Sequence, residues 1–578
     1  MSLTASMLIG RSALTASQLG IQVSGNNIAN VATPGYSRQT AFLEPVGSDG
    51  PNASLRSGRG VNVRDVRRQI DEALQQRLWN GVSDQTAAAQ QLQSLSTLEA
   101  TLGELTGNDF TTQLTGFFNV WSERANLTKS SAVVVQQASK ISEFLRRMRS
   151  DIDGLRSQID AQLGAGVAQA NKLLETVSDL SRRISISESG QGLANSLRDQ
   201  RDQVLSELSQ LLDVTVVPQS NGSINVLLGN TPIILNNQSR GLTLDIAERN
   251  GVLEADLKTS DNAEFVVPQS GQIGALLASR KSSVDQTSAA LDSMASRLIF
   301  EVNKLHSTGV NKDWQVSATG TLAFATADRT RPLNDPANAA TSVLPFAASS
   351  GGFNISIKNN STGATQTVRI NVDLDGINAL GQPGTSDDTT AEQIRAALAA
   401  VPGVSASFNA EGKLQISAAS GSSISFSDDT SGALALLGVN SFFGGKDARD
   451  IAVRPDLVAD PSKLLVGRMV NGTFVENANA LEFAKLQTRT HASLQDRSFL
   501  QAWGDTVQGV GSATAAAKTA AAAASSVKES LDAQRSAISG VSIDEESINL
   551  LNYQRQYQAG ARLIDISNQL LNSLLQIV

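Results

Sequence analysis

Residues 543–578 read IDEESINLLNYQRQYQAGARLIDISNQLLNSLLQIV. Apolar side chains recur every seventh position through this stretch, at Ile543, Leu550, Tyr557, Ile564, Leu571 and Val578. A repeat of seven predicts an α-helix that packs along one stripe, and at the standard rise this helix is about 50 Å long. Because such a helix gains most of its stability by burying its stripe, we expect it to have a packing partner.

The beginning of the chain carries a second stripe with the same period, at Met7, Leu14, Ile21 and Ile28. Small residues accompany both stripes, at Gly10, Ser17, Ser24, Gly560 and Ser567. Small side chains allow helices to approach closely, so the two terminal helices are predicted to pack either on each other or on neighbouring copies. Apolar residues beside the C-terminal stripe favour further partners, because one partner would leave them exposed: Leu563, Leu570 and Ile577.

Composition excludes several classes of function. The 578 residues include no Cys, so disulfides, thiolate nucleophiles and thiolate metal sites are excluded. A net charge of −8 argues against nucleic-acid binding. No stretch is long and apolar enough to insert into a membrane, and the first residues lack the basic region and continuous apolar core of a cleavable signal peptide.

Hydrophobic periodicity predicts an α+β multidomain protein: an elongated helical rod, with a coiled-coil-like bundle formed by both termini, that carries β-rich outer domains. Apolar spacings of four and three from Ile141 to Ile159 predict a long coiled-coil helix. The period changes to two near Val214, and Thr390 with Gln393 predicts a capping box in a Gly- and Ser-rich insert. The expected segments are 1–64 and 541–578 (assembly helices), 65–213 (helical rod), 214–268 (small antiparallel β segment), 269–307 (returning helix), 308–450 (β-rich insert) and 451–540 (helical return).

A search for reactive side chains finds no catalytic constellation. His306 and His491 lie in separate segments, without the spacing of a metal or catalytic motif. Residues 373–378, DLDGIN, partly match a calcium loop. They lack the third oxygen-bearing residue before the Gly and the Glu at position twelve, which favours a β-turn. We therefore expect no enzyme activity, no cofactor and no metal.

Residues 24–39 read SGNNIANVATPGYSRQ. The first helix is predicted to end near Asn30, because Pro34 disfavours further helix, Gly35 permits a tight turn and Tyr36 supplies a packing ring. This motif resembles the signature shared by bacterial flagellar rod, hook and hook-associated proteins. Residues 540–546, GVSIDEE, and 550–564, LLNYQRQYQAGARLI, resemble the C-terminal signature of the same group.

The long helical region narrows the resemblance to the hook-associated protein 1 family. Three segments show this resemblance: FFNVW at 117–121, DQRDQ at 199–203 and GQIGALL at 271–277. A hook protein, which shares the terminal motifs, would pass into β domains with less helix.

The resemblance implies a structural junction protein of the flagellum, which polymerises between hook and filament. It implies self-assembly in a helical layer, contacts with hook protein and hook-associated protein 3, and an export chaperone before type III secretion to the cell exterior. The expected assembly interface comprises both stripes together with Asn30, Pro34, Gly35 and Tyr36. We expect the terminal helices to be mobile in the free subunit and to line an inner tube once assembled.

Three alternatives stay open. Within the same class, the chain is hook-associated protein 3 or a hook protein. In another class, it is a secreted enzyme with an assembly scaffold and activity in residues 308–450. A non-flagellar coiled-coil adhesin is disfavoured by the Pro34-Gly-Tyr36 motif.

Overall fold

The computed structural model describes residues 3–47, 58–103, 107, 109–190, 192–249, 252–470 and 473–577. The chain forms two units, the first comprising Met1–Ser94, Gln158–Lys281 and Ala515–Val578, and the second Leu95–Ser157 and Ser282–Thr514. Within the described residues, no helix combines the length and apolar character needed to span a membrane.

The helices are α1 Leu3–Ala29, α2 Glu72–Leu102, α3 Phe110–Ala125, α4 Ser131–Ser187, α5 Asn195–Leu211, α6 Gly271–Ser279, α7 Gln286–Ser307, α8 Ala391–Ala399, α9 Ala433–Leu437, α10 Pro455–Ala459, α11 Ala478–Lys485, α12 Phe499–Ser539 and α13 Ile543–Ile577. Helix α4 contains the seam predicted from apolar spacing, and Ile141, Leu145, Ile152 and Ile159 are all buried. The α+β architecture with long terminal helices is confirmed.

The strands of the first unit are β1 Gln39–Pro45, β2 Val61–Arg68, β3 Val214–Pro218, β4 Ile224–Leu228, β5 Thr231–Leu235, β6 Gln238–Ser239, β7 Leu242–Arg249, β8 Val252–Thr259 and β9 Phe265–Val266. They form a β1-β2 hairpin and two antiparallel sheets of order β3-β4-β5-β6 and β7-β8-β9. The change of period at Val214 thus marks the first strand of the β segment.

The strands of the second unit are β10 Ser317–Ala323, β11 Gly351–Asn359, β12 Thr365–Val372, β13 Val404–Phe408, β14 Lys413–Ala418, β15 Ser422–Ser427, β16 Phe443–Gly444, β17 Ala452–Val453, β18 Arg468–Val470 and β19 Thr473–Val475. Two three-stranded sheets, β10-β14-β13 and β12-β11-β15, enclose one apolar core with α8 and α9. Helix α8 begins at the predicted capping box, in which Thr390 Oγ1 accepts from Gln393 N and the Gln393 side chain accepts from Thr390 N.

Aromatic side chains anchor the helices of the second unit. The indole of Trp121 on α3 stacks on the ring of Phe483 on α11, with 3.9 Å between ring centroids. Phe110, also on α3, makes an edge contact with Trp503 on α12 at 5.1 Å. All four side chains are almost completely buried, so they are core residues rather than a ligand site.

Two stretches differ from the sequence expectation. The helix expected from 273 to 306 is interrupted by a π-helical segment, Arg280–Asp285. Apolar spacing cannot show this, because Leu277, Val284 and Leu291 continue the repeat of seven across it. The helical return expected over 451–540 is wrong for most of 451–470 and for 473–475, where short strands and turns accompany only the five-residue helix α10. Pro455, Pro461 and Gly467 interrupt the chain there.

Candidate assembly interface: the terminal helix pair

Helices α1 and α13 lie antiparallel along each other within one chain. A Cβ atom placed on Gly10 would lie 2.7 Å from Ile564 Cγ1, and one on Gly20 would lie 2.6 Å from the ring of Tyr553. A Cβ atom on Gly560 would lie 3.3 Å from the Leu14 side chain. The absence of side chains at these glycines therefore sets the distance between the helices. Of the two alternatives left open by the sequence, the structure shows the intramolecular pair.

The buried centre of this pair is made of small and polar residues rather than of the apolar stripes. On α1 the buried positions are Gly10, Ala16, Ser17, Gly20, Val23, Ser24 and Asn27. The stripe residues flank this centre and are half-buried: Met7, Leu14, Ile21, Ile28, Leu550 and Ile564. The other described stripe residues of α13 are exposed, by 52% at Ile543, 42% at Tyr557 and 40% at Leu571, and Val578 lies outside the described residues.

Four large apolar side chains on another side of α13 are exposed among the described residues. Ile548, Leu551, Ile566 and Leu570 are 54–59% exposed and, at 3.6 residues per turn, fall within a sector of about 100°. We call these four residues the outer face of α13. Gly560 and Ser567, which lie against α1, are on a different side of the helix. The prediction that Leu570 would be left exposed by a single partner is confirmed, Leu563 is half-buried, and the side chain of Ile577 lies outside the described part.

A buried polar cluster fixes the end of the pair, and Asn27 is its centre. The Asn27 side chain is fully buried. Its Oδ1 accepts from the backbone N–H of Gln39 at 3.0 Å and from the Tyr36 hydroxyl at 2.8 Å. Its Nδ2 donates to the Gln39 carbonyl oxygen at 2.9 Å and to Glu546 Oε2 at 3.0 Å. One amide therefore connects α1, the following loop, β1 and α13.

Glu546 and Arg38 complete this cluster with a nearly dry ion pair. Glu546 is 2% exposed, and its Oε1 accepts from Arg38 Nε at 2.8 Å. The Arg38 guanidinium also contacts the exposed carboxylate of Glu545 at 2.8 Å, and its backbone N–H donates to the Ser539 carbonyl oxygen. Because a buried charge is tolerated only when paired, these contacts fix the register of α13 against α1.

The Pro-Gly-Tyr loop folds over the same cluster. Gly35 has φ +80°, a conformation that favours glycine, and it lies against Gln203 of α5. Burial, together with the nearby carboxylates of Asp199 and Glu546, raises the pKa of Tyr36 to about 12. The phenol therefore stays protonated and donates to Asn27.

Two further residues support the loop from outside it. Asp199 of α5 lies close to Ser37 and Tyr36 of the loop and forms an ion pair with Arg68 of β2 at 2.9 Å. Asn30 accepts from Thr33 through its side chain at 3.2 Å. The loop is thus supported by α5 and by the end of α1.

Sequence reasoning named part of this arrangement and missed its centre. The structure brings Asn30, Gly35 and Tyr36 together at the end of the helix pair, with Pro34 between them. It also gives central places to Asn27, Arg38 and Glu546, which were not predicted. The sequence did contain one signal for this cluster. Asn27 lies three residues after Ser24, on the small-residue side of α1, where an apolar residue would be ordinary.

Comparison with known proteins agrees with these motifs. The profile of the family described as "Flagellar hook-associated protein FlgK helical domain" matches residues 95–321. "Flagellar hook-associated protein 1" of Escherichia coli strain K12 is 25% identical over 98% of both chains. The protein of the same name from Bacillus subtilis strain 168 is 31% identical over 41% of this chain and 49% of the relative. The chain is therefore similar to flagellar hook-associated protein 1 over nearly its whole length.

The terminal helices are similar to two further families of flagellar proteins. The profile "Flagella basal body rod protein" matches residues 7–36, and "Flagellar basal body rod FlgEFG protein C-terminal" matches 533–577. These ranges contain most of α1 with the Pro-Gly-Tyr loop, and all of α13. A solved structure titled as the flagellar hook junction protein FlgK from Burkholderia pseudomallei aligns with 80% of this chain and all of that chain, at 19% identity and a TM-score of 0.47.

Proposed function

We propose that this protein is a structural adapter of the bacterial flagellum, which polymerises between hook and filament through its terminal helices. The observation that carries the proposal is the outer face of α13, because four large apolar side chains stay exposed after α1 and α13 have packed together. The relatives named hook-associated protein 1 support the place of action.

Burial of the outer face contributes part of the free energy of association. Fully burying an apolar side chain of this size contributes about 1.5–3 kcal/mol. Since roughly half of each side chain on the outer face is exposed, complete burial of the four contributes about 4 kcal/mol per copy. Ordering and association costs reduce this gain, so the stripe residues Ile543, Tyr557 and Leu571 are proposed to add to the contact.

The partners follow from the junction position. Copies of this chain form a helical layer. Hook protein binds one side of this layer, and hook-associated protein 3 binds the other side. Before secretion an export chaperone covers the exposed apolar face of α13, and the protein acts outside the cell without catalysing a reaction. The buried polar cluster supports a structural role, because its charged groups, Arg38 and Glu546, pair with each other.

Immunogold electron microscopy of intact flagella, with antibody against residues 308–450, tests the position. The proposal predicts one narrow band where hook meets filament, lying on the hook side of the band given by antibody against hook-associated protein 3. Label along the whole hook would make the chain a hook protein, and label away from the flagellum would overturn the proposal.

A further inference from the structure

Three carboxylates converge in the loop between β12 and α8, within the β-rich part of the second unit. Asp373 follows the last residue of β12, Asp375 lies two positions further, and Asp388 precedes the N-cap residue Thr390 by two. One oxygen atom of each carboxylate lies within 4.8 Å of those of the other two. We propose that this cluster binds a divalent cation, and that the cation is calcium.

The buried member of the cluster has an oxygen atom without a partner among the described residues. Asp388 is 1% exposed. Its Oδ2 accepts from Asn334 Nδ2 at 2.7 Å and from the backbone N–H of Gly376 at 3.2 Å. Its Oδ1 is buried and accepts no hydrogen bond from that part of the chain. A buried carboxylate oxygen without a donor is costly, and a bound cation removes that cost.

The neighbouring amide shows the same deficit. Asn334 Oδ1 is buried and finds no hydrogen-bond donor in the described ranges, while the Nδ2 of that side chain is held by Asp388. An amide oxygen is an ordinary calcium ligand. Two unsatisfied oxygens thus belong to side chains that contact each other beside the carboxylate cluster, and a cation would satisfy both.

The other two carboxylates of the cluster accept hydrogen bonds from neutral donors. Asp373 Oδ1 accepts from Ser350 Oγ at 3.4 Å, and Asp375 Oδ1 accepts from the Ile377 N–H at 2.8 Å. Among the described residues of this region, ion pairs with Arg or Lys are formed by other carboxylates: Asp328, Glu392, Glu411 and Asp428. Three negative groups this close repel one another unless a cation lies between them.

The ligand set favours calcium over other metals. All candidate ligand atoms are oxygens, which hard cations prefer, and calcium accepts six to eight of them in flexible geometry with water filling the remainder. Asp373, Asp375 and Gly376 have the spacing of positions three, five and six of a calcium loop. The carboxylate missing from the local sequence comes instead from Asp388. Binding would join the two ends of the loop 373–390 and fix the start of α8 against the end of β12.

Calorimetric titration of the full chain with calcium chloride at constant ionic strength tests the site. We expect one calcium ion per chain, with the affinity of extracellular modules, a Kd of about 10⁻⁴–10⁻³ M. The thermal transition should rise as calcium is added. The test variant is Asp388→Asn, which keeps the shape of the side chain. Asp375→Asn is a second variant at an exposed position, and Asp387→Asn, an exposed neighbour outside the cluster, is the matched control.

The expected result is that both cluster variants weaken calcium binding about tenfold or more, while Asp387→Asn binds as the unchanged chain does. If Asp388→Asn fails to fold, Asp375→Asn alone decides the question. The proposal is overturned if the unchanged chain shows no saturable heat, or if Asp375→Asn binds calcium with the affinity of the unchanged chain. Equal affinity for magnesium would overturn the assignment to calcium.

Discussion

Replacing Gly20 by Ala tests whether glycine sets the distance between α1 and α13. In an open helix position this change is stabilising by about 0.8–1 kcal/mol, because Ala has the higher helix propensity. At position 20, however, the new Cβ atom would lie 2.6 Å from Cδ1 and Cε1 of the Tyr553 ring. Overpacking of this kind costs about 1–3 kcal/mol.

Gly25→Ala is the matched control, because Gly25 lies on the same helix and a methyl group added there would meet no neighbouring side chain or packed helix within 4 Å. The propensity gain is common to both variants, so the difference in stability of the helix pair should be about 1–3 kcal/mol. Native-state hydrogen exchange measures this difference directly in α1 and α13. Amides of the pair should exchange about 5- to 150-fold faster in Gly20→Ala than in Gly25→Ala. Equal exchange rates, or slower exchange in Gly20→Ala, would refute the close approach of the two helices.

Two further predictions concern buried polar groups. Glu546→Ala should destabilise the terminal pair by about 3 kcal/mol, because Arg38 loses its buried partner. Glu545→Ala, at an exposed position, should cost less than about 1 kcal/mol. Urea unfolding measures both variants, and equal losses of stability would contradict the burial of Glu546. In the second unit, burial lowers the pKa of His306 to about 4, and its Nε2 accepts from the backbone N–H of Leu465. Below pH 6.5 the imidazole of His306 becomes protonated in the unfolded chain but stays neutral in the folded chain, so the free energy of unfolding should fall by about 3 kcal/mol between pH 6.5 and pH 4. In His306→Gln this part of the pH dependence should be absent from the measured free energy of unfolding. An unchanged pH profile in the variant would count against a neutral buried imidazole.

Local rules predict the elements of this protein well where one signal dominates. The repeat of seven places α13, and Pro34 with Gly35 places the end of α1 near residue 30, where the helix ends at Ala29. The capping box at Thr390 predicts the start of α8 to the residue. In each case a pattern within a few turns of chain determines the backbone, so no distant contact is needed to predict it.

Features that depend on distant contacts could not be predicted in this way. Gly10 and Gly560 were predicted to allow close approach of the helices. The sequence did not show that such approach would move the stripe residues Leu14 and Ile564 to the flanks of the interface. Glu546 looks like one of several acids in the first turn of α13, and only the fold brings Arg38 to it across more than 500 residues. The same holds for Asp388, whose partners Asp373 and Asp375 looked like an incomplete loop in sequence.

The most direct test of the central claim is incorporation into the flagellum of a chain carrying Ile566→Asp and Leu570→Asp. Both residues lie on the outer face of α13 and are 54% exposed. Val267→Asp, at a 69% exposed apolar residue outside the terminal helices, is the control. Each chain is expressed in a strain of the source bacterium that lacks the native protein, and incorporation is measured by immunoblot of purified hook–basal bodies.

The account predicts that the double variant keeps the thermal transition of the unchanged monomer, because surface substitutions alter stability little. It also predicts that the double variant is absent from the hook–basal bodies, while Val267→Asp is present. Incorporation of the double variant at the level of the control would contradict the claim that the outer face of α13 drives assembly. Collapse of its monomer would contradict it too, since the outer face would then belong to the subunit's own core.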